Sequence, residues 1–204
     1  MIETTKQQLV SAASRLLDAG GQEAVTLRAV GERVGVSHNA PYRHFSGRGA
    51  LLGAVAKRDF NMLKQAFDDQ NSANDSPEAA LRGSAAALIA YGIEHKARYR
   101  LLFSDPQLPS DAILKEAAFD SFKAFSGIVA RCQQHGALPD VDTVSLTGVI
   151  YATIHGAIDL EISGRASGAK GLGSVEATAS LLFDLLRNHG ATGYSATRPT
   201  LAIE

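Results

Sequence analysis

The chain has 204 residues, of which 45 % are hydrophobic and 20 % are charged. This length allows one large or two small domains with a hydrophobic core, and the composition excludes an intrinsically disordered chain. The single cysteine, Cys132, excludes an intramolecular disulfide framework. The chain begins without the basic start and apolar run of a signal peptide, and it has no apolar run long enough to cross a bilayer, so we expect a cytoplasmic protein.

The charge is distributed unevenly along the chain. Residues 1–60 carry eight basic and five acidic side chains, a net +3, whereas the other 144 residues carry 12 basic and 16 acidic ones, a net −4. A basic amino-terminal part on an acidic body indicates that a polyanion meets only one end of the protein. A charge difference of this size can also arise by chance, so the charge distribution alone does not identify the partner.

Two helices are predicted at the start of the chain. Apolar residues over about 4–19 recur at the helical period, which predicts a first helix that Gly20 and Gly21 end. Thr26 suits the N-cap of a short second helix, and Gly35 suits its end.

A turn and two further helices follow. Ser37 is predicted to cap a third helix that ends at about Phe45, with Pro41 in its opening turn, where the missing N–H costs little. A fourth helix is predicted from about 51 to 70.

The rest of the chain also reads as helix. The composition of 71–77, NSANDSP, predicts a linker. Further helices are predicted over about 79–96, 111–134, 143–163 and 175–188. Since no alternating strand pattern interrupts them, the predicted fold class is all-α.

Hydrogen-bonding side chains are concentrated in the third helix and the turn before it, at Ser37, His38, Asn39, Tyr42, Arg43 and His44. A helix, a Gly-Val-Ser turn and a short polar helix form the helix-turn-helix arrangement, whose second helix enters the major groove. At the start of that helix an asparagine can bond adenine through two atoms, and a histidine can donate to guanine or phosphate. Tyr42 and His44 are spaced to reach backbone phosphates.

The stretch VTLRAVGERVGVSHNAPYRHFSGRGALL closely resembles the DNA-binding segment of the TetR family of bacterial transcriptional regulators. The residues that carry the resemblance are Thr26, Ala29-Val30, Gly35-Val36-Ser37, Tyr42-Arg43-His44-Phe45 and Leu51-Leu52. With the first helix, the match covers about residues 4–55. Arg48 stands where the family commonly has lysine, which keeps the charge.

The resemblance implies a ligand-responsive repressor that binds a palindromic operator as a dimer. It implies a helix-turn-helix three-helix domain (1–55), a helical-bundle ligand-sensing and dimerisation domain (56–190) and a tail (191–204). By position, the residues implied to read bases are Arg28, His38, Asn39, Ala40 and Arg43. Those implied to contact phosphates are Thr26, Ser37, Tyr42, His44 and Arg48. Phe45 is interpreted as a core residue.

The last two helices, about 143–164 and 175–188, are expected to form a homodimer interface. The later one carries an apolar stripe at Val175, Ala179, Leu182, Phe183 and Leu186, and the earlier one has small residues that permit close helix approach. The alternative is that this stripe packs only within its own chain.

The body is expected to bind an unidentified small-molecule effector. The segment 151–162 resembles a subgroup of TetR sensing domains with a His-Gly pair in this helix, with Tyr151 in place of the usual tryptophan. Candidates for the pocket wall are aromatic and histidine residues, each of which also suits a core: Tyr91, His95, Tyr99, Phe103, Phe119, Phe122 and His155.

Other classes of protein find less support in the sequence. No nucleophile elbow, metalloprotease motif, phosphate-binding loop or histidine cluster is present, so neither an enzyme nor a metal or cofactor site is expected. Cys132 and His135 form a helical pair without a third group to orient them. The alternative function is a helical small-molecule-binding or protein-interaction module with a non-functional DNA-reading head, which predicts no sequence-selective DNA binding.

Overall fold

The computed structural model describes residues 3–104, 108, 112–166, 168, 171 and 173–190, without the side chains of 188–190. Within these residues there are nine α-helices and no β-strand, which confirms the all-α prediction. The predicted tail, 191–204, lies outside the described residues. The helices are α1 (Thr5–Gly20), α2 (Leu27–Val34), α3 (Ala40–His44), α4 (Arg48–Ala73), α5 (Pro77–Glu94), α6 (Lys96–Phe103), α7 (Ala112–Gln134), α8 (Thr143–Ile162) and α9 (Val175–Gly190).

Capping hydrogen bonds mark where α1 and α2 begin. Thr4 caps α1, since its hydroxyl accepts from the Gln7 amide while the Gln7 side chain accepts from the Thr4 amide. The Thr26 hydroxyl accepts from the Ala29 amide at 3.0 Å, which confirms the predicted N-cap of α2. Gly35 ends α2 in the left-handed conformation, with φ of +76°.

The predicted cap of the third helix is wrong. Residues 38–39 first form a turn, and α3 begins only at Ala40, whose amide donates to the Ser37 carbonyl at 2.9 Å. The N-cap is Asn39, and its side chain makes no capping hydrogen bond. Because the turn comes between Ser37 and the helix, the exposed serine hydroxyl is not used to start it.

The predicted linker at 71–77 is also wrong. α4 continues to Ala73, and only residues 74–76 separate it from α5. Arg131 of α7 holds this turn, because its guanidinium donates to the carbonyls of Asn71 at 3.0 Å and Asp75 at 2.8 Å. A distant arginine therefore fixes this turn by satisfying one carbonyl of the last turn of α4 and one carbonyl of the turn itself.

The helix predicted over about 79–96 is α5, which begins and ends two residues earlier, and it is followed by a separate helix, α6, that the sequence analysis does not predict. The chain leaves the helical conformation at His95, with φ of −118° and ψ of 52°, and α6 begins at Lys96. The helices of the body pack through apolar side chains, and Phe67 of α4 meets Phe125 of α7 with ring centroids 5.3 Å apart. Within the described residues, no helix is long and apolar enough to cross a membrane.

Candidate functional sites

The amino-terminal head holds α3 against α2 at close range. Pro41 is buried, and a Cβ added at Gly31 of α2 would lie 2.9 Å from the Pro41 Cγ. Val36, in the turn, is partly buried against the same core, and Phe45 is 4 % exposed. The interpretation of Phe45 as a core residue is therefore confirmed. Pro41 and Phe45 face inward four residues apart, so the intervening side chains of α3 face solvent.

The polar side chains of the head are directed outward as a group. The His38 and Tyr42 rings lie 5.8 Å apart, and Tyr42 is 53 % exposed. Of the residues that the sequence assigned to DNA, these are exposed: Thr26, Arg28, Ser37, His38, Asn39, Tyr42, Arg43 and His44. The other two, Ala40 and Arg48, are partly buried.

Two arginines of the head already form contacts within the chain. Arg28 pairs with Glu32 one turn along α2, with Nε and Oε1 2.9 Å apart on an exposed surface. Arg48 donates to the carbonyls of Val25 at 2.9 Å and Gln22 at 2.6 Å, so it links the start of α4 to the turn before α2. Arg28 can exchange an exposed partner for DNA, whereas Arg48 also holds the fold of the head.

A cleft of about 390 Å³ lies between α6 and α8. Its wall is formed by Tyr99, Phe103, Ser104, Tyr151, His155, Gly156 and Asp159. This volume is within the range of small-molecule sites in proteins.

His155 is surrounded by aromatic rings at this cleft. The ring centroids of Phe103 and Tyr151 each lie 4.3 Å from that of His155. The Tyr99 hydroxyl hydrogen-bonds to Nδ1 of His155, and the buried Nε2 has no hydrogen-bond partner among the described residues. Burial lowers the pKa of His155 to about 4, so the imidazole is neutral at pH 7.

The cleft contains part of the predicted pocket set. Tyr99, Phe103 and His155 line it, and Phe122 lies behind it, with its ring 5.5 Å from that of Tyr151. The placement of Phe119 in the pocket wall is wrong, because this side chain is 65 % exposed on α7.

The prediction omitted Tyr151 and Asp159 from the pocket wall. Both follow from the sequence, since 151, 155 and 159 are spaced four residues apart and share one face of a helix.

Comparison with known proteins identifies the family. The model of the tetracycline-repressor-like C-terminal domain matches residues 81–186, and the model of TetR-family bacterial regulatory proteins matches residues 9–55. The chain belongs to the TetR family. It is therefore a DNA-binding transcriptional regulator with a ligand-binding domain, and its relatives in this family are regulators and not enzymes.

Solved structures share the TetR-family fold over most of the chain. A Rhodococcus sp. RHA1 protein of unknown function is 25 % identical, with a TM-score of 0.79 over 92 % of this chain and 96 % of that one. The regulator PfmR of Thermus thermophilus is 18 % identical, with a TM-score of 0.64 over 89 % and 97 %. FadR of Bacillus subtilis, solved with stearoyl-CoA, is 14 % identical, with a TM-score of 0.66 over 88 % and 96 %. No curated protein matches the chain.

A polar network that is buried at Asp59, Tyr91 and Arg98 joins the TetR-family head to the body. Arg98 of α6 donates to Asp18 of α1 at 3.0 Å and to Asp59 of α4 at 3.2 Å, and Tyr91 of α5 donates to Asp59 at 2.9 Å. Nδ1 of His95 lies 3.2 Å from Asp18. Burial, followed by the charge of Asp59, raises the pKa of Tyr91. Tyr91 and His95 were predicted to line the pocket, and the structure corrects this because their polar atoms belong to the network.

The last two helices of this TetR-family chain present apolar side chains to solvent. The predicted α9 stripe faces the chain's own core, with Val175, Ala179 and Phe183 buried and Leu182 and Leu186 partly buried. The intramolecular alternative is therefore correct for this stripe. A different set of large apolar side chains on α8 and α9 is more than half exposed: Val144, Val149, Leu181 and Leu185.

Replacing Gly31 by alanine is expected to destabilise the TetR-family head by about 1–3 kcal/mol, because the new methyl group meets the rigid proline ring. Displacement of α3 should also weaken DNA binding. Gly53→Ala is the matched control, because a Cβ at Gly53 of α4 meets no atom of the described residues within 4 Å. Thermal unfolding of both variants measures the difference, and equal midpoints would contradict the steric explanation.

Proposed function

We propose that the protein is a ligand-responsive repressor that binds a palindromic operator as a homodimer. The observation that carries this proposal is the outward polar face of α3, held on α2 by Pro41. A helix presented in this way fits the major groove, whose width admits one helix. Because its target would be chromosomal DNA, we expect the protein to act in the cytoplasm.

We assign base reading and phosphate contact by position on the head. The proposed base readers are Arg28 on the exposed side of α2, His38 and Asn39 in the turn before α3, and Ala40 and Arg43 on α3. The proposed phosphate contacts are Thr26, Ser37, Tyr42, His44 and Arg48. Thr26 suits this role although it caps α2, because its oxygen accepts from Ala29 and its hydroxyl hydrogen is available to donate.

The proposed dimer interface consists of the exposed faces of α8 and α9. Leu181 and Leu185 lie one turn apart on α9, and Val149 of α8 is also more than half exposed. Ala152 and Gly156 of α8 are exposed and small, so a partner helix could approach closely. Contiguous exposed apolar side chains of this kind mark protein interfaces. Two copies of the head would then face successive turns of the operator.

The proposed effector site is the cleft between α6 and α8. Arg98, next to Tyr99 of the cleft wall, donates to Asp18 of α1 in the head. A shift of α6 would therefore be transmitted to α1 through this ion pair. An effector releases the operator only to the extent that it binds the low-affinity arrangement more tightly.

The first experiment is selection of bound duplexes from random DNA by the purified protein at stated salt. A palindrome with two half-sites is the expected result. Salt-sensitive binding without sequence preference would contradict the operator proposal and favour the alternative of a helical module with a non-functional head.

Replacing Tyr42 by phenylalanine is expected to weaken binding to every duplex by a similar factor, about 1 kcal/mol for one lost hydrogen bond. The hydroxyl is the only group removed, and the ring contact with His38 is kept. Titration of the selected operator and a scrambled duplex measures both affinities. A changed ratio between the two would show that Tyr42 reads sequence.

Replacing Asn39 by alanine is expected to relax preference at one base pair, by about 1–3 kcal/mol for a bidentate contact. Since the Asn39 side chain makes no capping bond, α3 should keep its stability. Repeating the selection with the variant gives the preference at each position. An unchanged preference would remove Asn39 from the base readers.

A further inference from the structure

We infer that the effector of the α6–α8 cleft is an organic cation, with an ammonium group on a compact hydrophobic body. This inference rests on the proposed sensing function of the cleft and names the chemical class that the cleft selects.

The walls of the cleft are mainly aromatic. Tyr99 and Phe103 come from α6, with ring centroids 4.9 Å apart, and Tyr151 comes from α8. The face of an aromatic ring carries partial negative charge and attracts a cation placed above it. Three rings from two helices therefore favour a positively charged group with apolar substituents.

The charged side chain of the cleft is also negative, which favours a cation. Among the described residues that line it, Asp159 is the one charged side chain, and it is exposed to solvent. Burial raises the pKa of Tyr99, and the neighbouring Tyr151 and Asp159 raise it further, so Asp159 lies close enough to act on the aromatic wall. His155 adds no positive charge at pH 7, since burial keeps it neutral.

Among the described residues of this wall, an anionic effector would find no positively charged side chain. Arg100, the basic residue that follows Tyr99 on α6, is not part of the lining. Its guanidinium donates to the carbonyl of Ile162 at 3.0 Å. A carboxylate or phosphate in the cleft would be repelled by the negative charge of Asp159. The described lining therefore disfavours ligands such as the acyl-CoA present in the FadR structure.

The test compares three probes of similar shape on the full-length protein. Phenyltrimethylammonium is the cation, tert-butylbenzene is its neutral counterpart, and benzenesulfonate is an anion of comparable size. Ligand-observed NMR titration measures the three dissociation constants. We expect the cation to bind at least about tenfold more tightly than either other probe, from the combined attraction of rings and carboxylate. Equal or tighter binding of the neutral or anionic probe would overturn the inference.

Variants locate the cation in the cleft. Asp159→Asn removes the charge at an exposed position, and we expect it to weaken phenyltrimethylammonium binding about fivefold. Glu161→Gln is the matched control, because it removes the same charge from the same helix at an exposed residue outside the cleft wall. Phe103→Leu removes one ring face and should also weaken binding. Equal effects of the Asp159 and Glu161 variants would place the cation elsewhere and overturn the inference.

A second readout separates this inference from the proposed function. Release of the selected operator is measured with each probe. If the cation binds through Asp159 but leaves operator affinity unchanged, the ligand class is supported and the sensing role of the cleft fails. If an anionic probe displaces the operator and the cation does not, the sensing role is supported and the ligand class fails.

Discussion

Replacing both Leu181 and Leu185 by glutamate is expected to dissociate the proposed homodimer into monomers. Both leucines are more than half exposed on α9 and would be buried between subunits. Each buried leucine contributes about 1.5–3 kcal/mol, and the substitution removes four per dimer and adds four charges. We therefore expect dimerisation to weaken by more than about 4 kcal/mol, or about a thousandfold.

Sedimentation equilibrium measures the change in assembly, and operator titration measures its consequence. A monomer contacts one half-site, so operator affinity should fall at least about a hundredfold. Met62→Glu is the control, since this residue is 43 % exposed on α4, away from the proposed interface. A leucine variant that stays dimeric would contradict the proposed interface, and dissociation by the Met62 variant would place the interface on α4.

Replacing Arg98 by methionine is expected to destabilise the protein by about 3–5 kcal/mol. Asp59 is fully buried and accepts from Arg98, Tyr91 and the neighbouring Arg58. Removal of one partner of a buried ion pair leaves an under-compensated charge, which costs that amount. The link to Asp18 is lost as well, so α1 is held less firmly to the body.

Chemical denaturation measures the change in the free energy of unfolding, with Lys96→Met as control. Lys96 lies on the same helix and is exposed, so its replacement should change stability by no more than about 0.5 kcal/mol. The double variant Asp59→Leu with Arg98→Met should recover part of the loss, because it removes both buried charges. Equal stability of the Arg98 and Lys96 variants would mean that the network contributes little to the folded state.

The architecture of the head could be predicted from the sequence because its signals are local. The Thr26 cap and the Gly35 terminus depend on hydrogen bonds and dihedral angles within a few residues. The inward Pro41 and Phe45 follow from the same short-range periodicity. The failure at Ser37 is of the same kind, since two competing local structures, a cap and a turn, were both compatible with its hydroxyl.

The site in the body depends on contacts between distant segments. Tyr99 and His155 are 56 residues apart in the chain and meet only because α6 packs beside α8. The sequence indicated aromatic residues suited to a pocket, but it could not distinguish exposed Phe119 from Phe122, which contacts Tyr151. Both residues lie on α7, and the packing of α7 against α8 determines which of the two side chains is exposed.

Local signals were therefore sufficient to predict the family, the helical class and the composition of the DNA-facing segment, because caps, turns and periodicity act over a few residues. The packing of the helices determined which faces of α7, α8 and α9 are buried and which side chains share the cleft. It also decided that Tyr91 bonds to Asp59 and does not line the cleft. These outcomes depend on how helices far apart in the chain pack together, since an amphipathic pattern specifies a buried face but not its partner.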